Sequence, residues 1–278
     1  MILPLLLAMS VSSFAAQGSA PASSANKLPP AEDQAKARLN ASPRHGEMIE
    51  IPVGKKKLNA WIVYPERSDK APVVIVIQEI YGLSDWIRAV ADQLADEGYI
   101  AIAPDLVTGL GPNGGGTDAF ASRDDVVKAV RQLKSEDVMK NLDAVRAYAM
   151  KLPAADAQHS ASIGFCWGGG MSFQYAAQQP ELNAAIVYYG TPPEAKEDYE
   201  KINAAVAGFY GGDDARVTST VEGATAEMKA AGKSYTPHVF AGAGHGFLRA
   251  QTERNGANAK AAQQAWSETL AFFKKQMQ

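Results

Sequence analysis

The sequence predicts one α/β domain, a mainly parallel central sheet with helices on both faces. Three observations lead there. Residues 73–77 read Val-Val-Ile-Val-Ile, a continuous β-branched run typical of a strand covered on both faces. From about residue 47 onward, apolar runs of strand length alternate with segments of helical spacing. Neither an internal repeat nor a change of composition marks a second domain.

The folded domain is expected over residues 46–278. Residues 48–53 and 58–64 alternate apolar and polar side chains, which predicts a half-buried hairpin at a sheet edge. The buried strand 73–77 is followed by a predicted helix, 86–97, which Gly98 stops. A second buried strand, 99–103, ends at Pro104-Asp105. The Gly-rich stretch 109–116 has no Gly-Lys-Ser/Thr after it, so it reads as a flexible surface loop rather than a phosphate cradle. Helices are expected over 124–133 and 137–150, a strand over 160–165 and a helix over 171–177. Short buried strands over 184–189 and 204–210 follow, then a helix over 217–231 closed by Gly232. A last strand, 235–240, and a last helix, 257–275, complete the pattern.

The first 20 residues carry no charged side chain, and the apolar run 2–9 gives way to small residues. That pattern predicts an export signal over 1–20, and hence a periplasmic or secreted protein. The run is too short to cross a bilayer, which takes about 20 residues, and no later segment is long and apolar enough. Residues 21–45 are rich in Ala, Ser and Pro and poor in large apolar side chains. They predict a flexible leader with a short helix over 31–39, whose removal leaves folding and activity intact. The expected product is a soluble monomer without membrane insertion.

Composition narrows the function. With 27 basic and 30 acidic residues the net charge is -3, and no concentrated positive field speaks for a nucleic-acid partner. The chain has one cysteine, so no internal disulfide can form. A lone thiol in an oxidising compartment calls for a reason. That residue, Cys166, stands in Gly164-Phe165-Cys166-Trp167-Gly168, between a predicted strand and a predicted helix. The pattern is a nucleophile elbow with cysteine in place of serine. Its glycines permit a tight turn, and the N-terminus of the following helix points at the sulfur, which favours the thiolate.

In α/β-hydrolases the chain order is nucleophile, acid, histidine. Between Cys166 and the candidate histidine lie three aspartates, Asp198, Asp213 and Asp214. The last two follow the strand 204–210, where an acid belongs, whereas Asp198 sits in a charged, solvated segment. Of four histidines, His45 is in the leader, His159 precedes a strand and His238 lies within one. His245, in the loop after the last strand, is where the general base belongs. No metal-ligating motif occurs, and neither metal nor cofactor is expected.

Four blocks, Gln78-Glu79-Ile80-Tyr81-Gly82, Gly164-Phe165-Cys166-Trp167-Gly168-Gly169, Gly211-Gly212-Asp213-Asp214 and His245-Gly246-Phe247, together resemble the dienelactone hydrolase family, over most of the chain from about Met48. The resemblance implies the α/β-hydrolase fold and a Cys166–Asp214–His245 triad, the G-x-x-D spacing selecting Asp214. It also implies that Glu79 lies beside the thiol, accepting a hydrogen bond from its S–H at rest and releasing it when substrate binds. The backbone N–H groups of Ile80 and Trp167 would then form an oxyanion hole, and Arg249 would bind a substrate carboxylate. Arg123 reads as helix-surface charge rather than as the family's second arginine. Two departures, the longer Gly-rich loop over 109–120 and the valines Val126, Val127 and Val130 where aromatic residues are expected, argue against carrying over the family's substrate. The function expected is hydrolysis of a small ester or lactone. A thiol redox sensor would call for a resolving cysteine, and a silent binding protein for a lost triad member; the sequence offers neither.

Overall fold

The computed structural model describes residues 28–277. The expected export signal, and residues 21–27 of the expected leader, lie outside the described residues.

Chain order begins with helix α1 (Ala35–Asn40), then strands β1 (Gly46–Val53) and β2 (Lys56–Val63). Next come β3 (Ala71–Ile77), α2 (Asp85–Asp96), β4 (Ile100–Pro104), α3 (Arg123–Val130) and α4 (Ser135–Ala149). The second half holds β5 (Ala155–Phe165), α5 (Trp167–Gln178), β6 (Ala184–Tyr188), α6 (Lys196–Lys201) and β7 (Ala205–Gly211). It ends with α7 (Ala215–Thr218), α8 (Val221–Ala230), β8 (Tyr235–Phe240) and α9 (Ala257–Gln276).

Among the described residues the strands form a single eight-stranded sheet, in the order β1-β2-β4-β3-β5-β6-β7-β8. β1 and β2 are the expected antiparallel edge hairpin, and β2 joins β4 antiparallel. From β4 to β8 every pairing is parallel. Alternate residues of β3 show why its run is unbroken. Val74 and Val76 pack with α2 and α9 residues such as Val90, Leu94 and Trp266, while Val73, Ile75 and Ile77 pack with α4 and α5 residues such as Leu142 and Phe173.

The chain leaves β3 for β4 on one side and returns to β5 on the other. Such a reversal of strand order opens a crevice at the carboxyl ends of the strands. The Gln78–Gly82 block follows β3 and Cys166 follows β5, so both reach that crevice.

Several boundaries differ from expectation. α5 begins at Trp167, not at residue 171, because Gly168 and Gly169 are helical where their weak propensity suggests a turn. The tight packing explains their use: a Cβ at Gly168 would stand 2.2 Å from the Gln78 carbonyl oxygen. The helix expected over 217–231 is two: α7 ends at Thr218 and α8 starts at Val221, with the Thr220 hydroxyl donating to the Val217 carbonyl at the break. The loop over 109–116 is tied down: the Asp105 carboxylate accepts both the N–H and the hydroxyl of Thr117, each at 2.7 Å.

Residues 28–45 are not a free leader. The Pro30 carbonyl accepts the indole N–H of Trp86 at 3.0 Å, and the Pro29 carbonyl accepts Gln251 Nε2 at 2.8 Å. Ala31 and Ala35 are buried, and Arg44 pairs with Asp92 at 2.6 Å and Asp96 at 2.7 Å. This strap docks through backbone carbonyls, small side chains, ion pairs and two half-buried leucines, Leu28 and Leu39, packed against the core. Those few contacts suffice where the composition suggested flexibility.

Candidate active site

Cys166 occupies the corner between β5 and α5, with φ +55° and ψ −118°. A non-glycine residue rarely adopts positive φ, and here the surroundings hold it there. Its N–H donates to the Tyr188 carbonyl at 3.0 Å, and its own carbonyl accepts the Gly169 N–H at 3.0 Å. A Cβ at Gly164 would stand 1.9 Å from the Gly168 carbonyl oxygen, so only glycine lets the strand and helix meet this closely.

Asp214 follows β7 and His245 follows β8, and Gly211 lets the two loops touch: a Cβ there would meet the Gly244 carbonyl oxygen at 2.5 Å. The histidine loop is stapled from below by Asn258, 1% exposed, whose Oδ1 accepts the Gly244 N–H at 2.9 Å. Its Nδ2 donates to the Ala250 carbonyl at 2.8 Å. His245 Nδ1 lies 2.5 Å from Asp214 Oδ2, and its Nε2 lies 3.1 Å from Cys166 Sγ. A carboxylate accepts, so Nδ1 carries the proton and Nε2 is left free to take the thiol's. Asp213 turns outward to Arg254 at 2.9 Å, and Asp198 pairs with Lys201 at 2.8 Å. His238 stacks on Phe209 and meets Glu268 at 3.1 Å, a packed strand histidine.

Glu79 is 3% exposed, and its oxygens are engaged by Arg249 Nε at 3.0 Å and the Tyr189 hydroxyl at 3.3 Å. The resemblance implied a resting thiol hydrogen-bonded to Glu79; the structure pairs the thiol with His245 instead. Glu79 acts on the thiol through its charge. Burial first, and then the Glu79 carboxylate, push the Cys166 pKa up to about 11, against the opposing pull of the Trp167 N–H. The helix N-terminus therefore favours the thiolate as expected, but desolvation wins, and the resting group is a thiol. Glu79 is itself raised by burial, which Arg249 and His245 oppose.

Trp167 borders the sulfur, and Ile80 lies in the turn closed by the Gly82 N–H to the Glu79 carbonyl at 3.2 Å. Both side chains pack, half-buried, against Val107 and the α3 residues Val126, Ala129 and Val130. Two of the valines that stand where aromatic residues are expected, Val126 and Val130, thus line an apolar wall beside the elbow.

Arg249 has two carboxylate partners, Glu79 and Glu32 of the strap. Burial opposes its charge, but those two carboxylates outweigh it and hold its pKa above the ordinary value. Arg123 is not plain surface charge: its guanidinium lies 3.5 Å from the Tyr81 ring centroid and binds Glu32 as well. Sequence reasoning missed Glu32, Tyr81, Tyr189 and Asn258. Tyr189, whose ring meets His245 edge-on at 5.1 Å, stands directly after β6, and that position at a strand's carboxyl end was the available signal. Glu32 offered none.

The match to known proteins covers most of the chain. Residues 58–277 fit the family model described as Dienelactone hydrolase family. A Salmonella typhimurium protein provisionally named carboxymethylenebutenolidase is 34% identical over 236 residues, 80% of this chain and 84% of its own. The crystal structure of a provisionally assigned dienelactone hydrolase from Klebsiella pneumoniae superposes with a TM-score of 0.73 at 30% identity, covering 83% of this chain and 98% of that one. A dienelactone hydrolase-like promiscuous phosphotriesterase from metagenomic libraries has a TM-score of 0.72 at 22% identity over 84% and 99% of the two chains, a likeness of fold. The family match begins at Leu58, so the strap and Glu32 lie outside it.

Proposed function

This chain belongs to the dienelactone hydrolase family, and on that premise we propose that it hydrolyses a small ester or lactone through a Cys166 thioester. The observation that carries the proposal is the relay from Asp214 through His245 to Cys166, with 2.5 Å and 3.1 Å separations, at a strained strand-to-helix corner. His245 Nε2 takes the thiol proton as the sulfur attacks the acyl carbon, so the half-buried sulfur need not exist as a free thiolate beforehand. General-base help of this kind contributes about 10²–10⁴-fold. Asp214 stabilises the imidazolium that forms. The backbone N–H groups of Ile80 and Trp167 hold the developing oxyanion.

When the tetrahedral adduct collapses, the bond to the leaving oxygen breaks and that oxygen takes the proton from His245. Water then attacks the thioester, giving its proton to Nε2, and the second collapse returns that proton to the sulfur and frees the acid. The charge-free first 20 residues support an exported enzyme, to be checked by fractionating cells for the native chain. The test of the chemistry is turnover of short acyl esters and lactones by the purified protein. Cys166→Ala should fall to background while its thermal unfolding stays unchanged, and equal turnover by the two proteins would refute the role of the thiol.

A further inference from the structure

Beside the thiol stands a cluster of four charges, two guanidinium groups and two carboxylates. Arg249 gives its Nε–H to Glu79 and its Nη1 to Glu32. Arg123 gives Nη2 to the other oxygen of Glu32 and lays its guanidinium over Tyr81, which Arg249 also approaches, at 5.3 Å. Ionised, the four sum to zero. Without Glu32 the cluster would carry one net positive charge, and Arg249's charge already acts on Cys166.

Such a charge is an anion site, since a guanidinium fork matches a carboxylate. The strap fills it. The Glu32 N–H donates to the Arg249 carbonyl at 3.0 Å while the Arg249 side chain returns to the Glu32 carboxylate, so the pair is held from both ends. Pro29 and Pro30, bonded to Gln251 and Trp86, fix the segment just before it. The wall next to the cluster, formed by Ile80, Trp167, Val126 and Val130, is apolar.

We infer that Glu32 is a specificity-determining, built-in carboxylate: it pre-empts Arg249 and Arg123, and the enzyme selects acyl substrates that bear no carboxylate of their own. The inference rests on the hydrolase reading for its kinetic consequence but not for its binding consequence. A substrate carboxylate arriving at this site must compete with one already attached, and meets Glu79 and Glu32 as like charges. Glu32 acts through the arginines and touches no reacting atom, so it is a positioning residue.

The experiment compares the full-length protein with Glu32→Gln, which keeps the size of the side chain and removes its charge. Two matched substrates are used, 4-nitrophenyl butyrate and the mono-4-nitrophenyl ester of glutaric acid, and glutarate binding is followed by calorimetry. The wild type should prefer the neutral ester. In Glu32→Gln the kcat/KM ratio of anionic to neutral ester should rise at least tenfold, mainly through KM, and glutarate should bind at least tenfold tighter. The double variant Glu32→Gln with Arg249→Gln should lose the added glutarate affinity. A merely structural Glu32 would depress both esters alike, leave glutarate binding unmoved and overturn the inference. So would tight glutarate binding that survives in the double variant. Absence of turnover on both esters would count against the hydrolase reading alone, because the glutarate titration decides the role of Glu32 without it.

Discussion

Arg249 Nε donates to Glu79 Oε2 at 3.0 Å, in a pair whose carboxylate is almost wholly buried. That bond places a carboxylate charge next to the thiol and keeps it there. After burial, Glu79 is the largest cause of the raised Cys166 pKa, because an adjacent anion disfavours a second negative charge.

Replacing Glu79 by Gln should therefore lower the thiol pKa from about 11 and raise the thiolate fraction at any pH below it. A fall of one unit means about tenfold more thiolate at a fixed pH well below both values. Iodoacetamide alkylation at pH 8 should speed up several-fold, and peroxide inactivation with it, while ester turnover falls as Arg249 loses its buried partner. The measurement is alkylation rate against pH for both proteins. An unshifted midpoint would mean that Glu79 shapes the pocket without controlling the thiol.

The strap makes a second prediction, a loss of stability where its composition suggested no effect. A chain starting at Gly46 should be less stable than one starting at residue 21. Stripping the strap uncovers the Trp86 indole and the α2 face under Ala35, and leaves Asp92 without Arg44. On the order of 100 Å² of apolar surface exposed costs about 2.5 kcal/mol. In a domain of this size about 1 kcal/mol lowers Tm by roughly 2–4 °C. Calorimetry should therefore find Tm lower by about 5 °C or more, and equal values would show the strap to be a bystander.

What was legible in the sequence is what local chemistry dictates. The elbow could be read because a thiol between close-packing glycines follows a buried strand. His245 could be read because it follows the last strand, and Asp214 because the family spacing separates it from Asp213. The strap was illegible for the converse reason. Its contacts to Trp86 and Gln251 use main-chain carbonyls, which every residue has, and Glu32 is one carboxylate among many in a polar segment. Arg123 read as surface charge because neither Tyr81 nor Glu32 is near it in the chain. The resemblance already implied a resting thiol, but not burial as its main cause, since desolvation follows only from the assembled fold.

Gly164→Ala should abolish the fold around the elbow rather than tune it. The new methyl would lie 1.9 Å from the Gly168 carbonyl oxygen, a backbone atom that cannot rotate away. Overpacking a core typically costs about 1–3 kcal/mol, and a clash with main chain exceeds that range. Little soluble folded protein should be recovered. A variant with native Tm and native thiol titration would show that the strand-to-helix corner has slack that its geometry does not reveal.

Asn258 offers a graded test of how firmly the proposed base, His245, must be held. The asparagine lies on α9 and bridges the histidine loop on both sides through hydrogen bonds to Gly244 and Ala250. Asn258→Ala removes both bonds and leaves the Gly244 N–H buried without an acceptor, at a cost of about 1–3 kcal/mol. A histidine loop freed by even a fraction of an ångström lengthens the 3.1 Å path from Nε2 to Sγ, so kcat should drop about tenfold or more with KM little changed. Asn258→Asp separates the two bonds, since the carboxylate keeps the acceptor for Gly244 and loses the donor to Ala250. It should recover most of the turnover if the Gly244 contact sets the position of His245. Equal damage in Ala and Asp variants would assign the positioning to the Ala250 side, and unchanged kcat in both would show that Asp214 alone suffices to aim the imidazole.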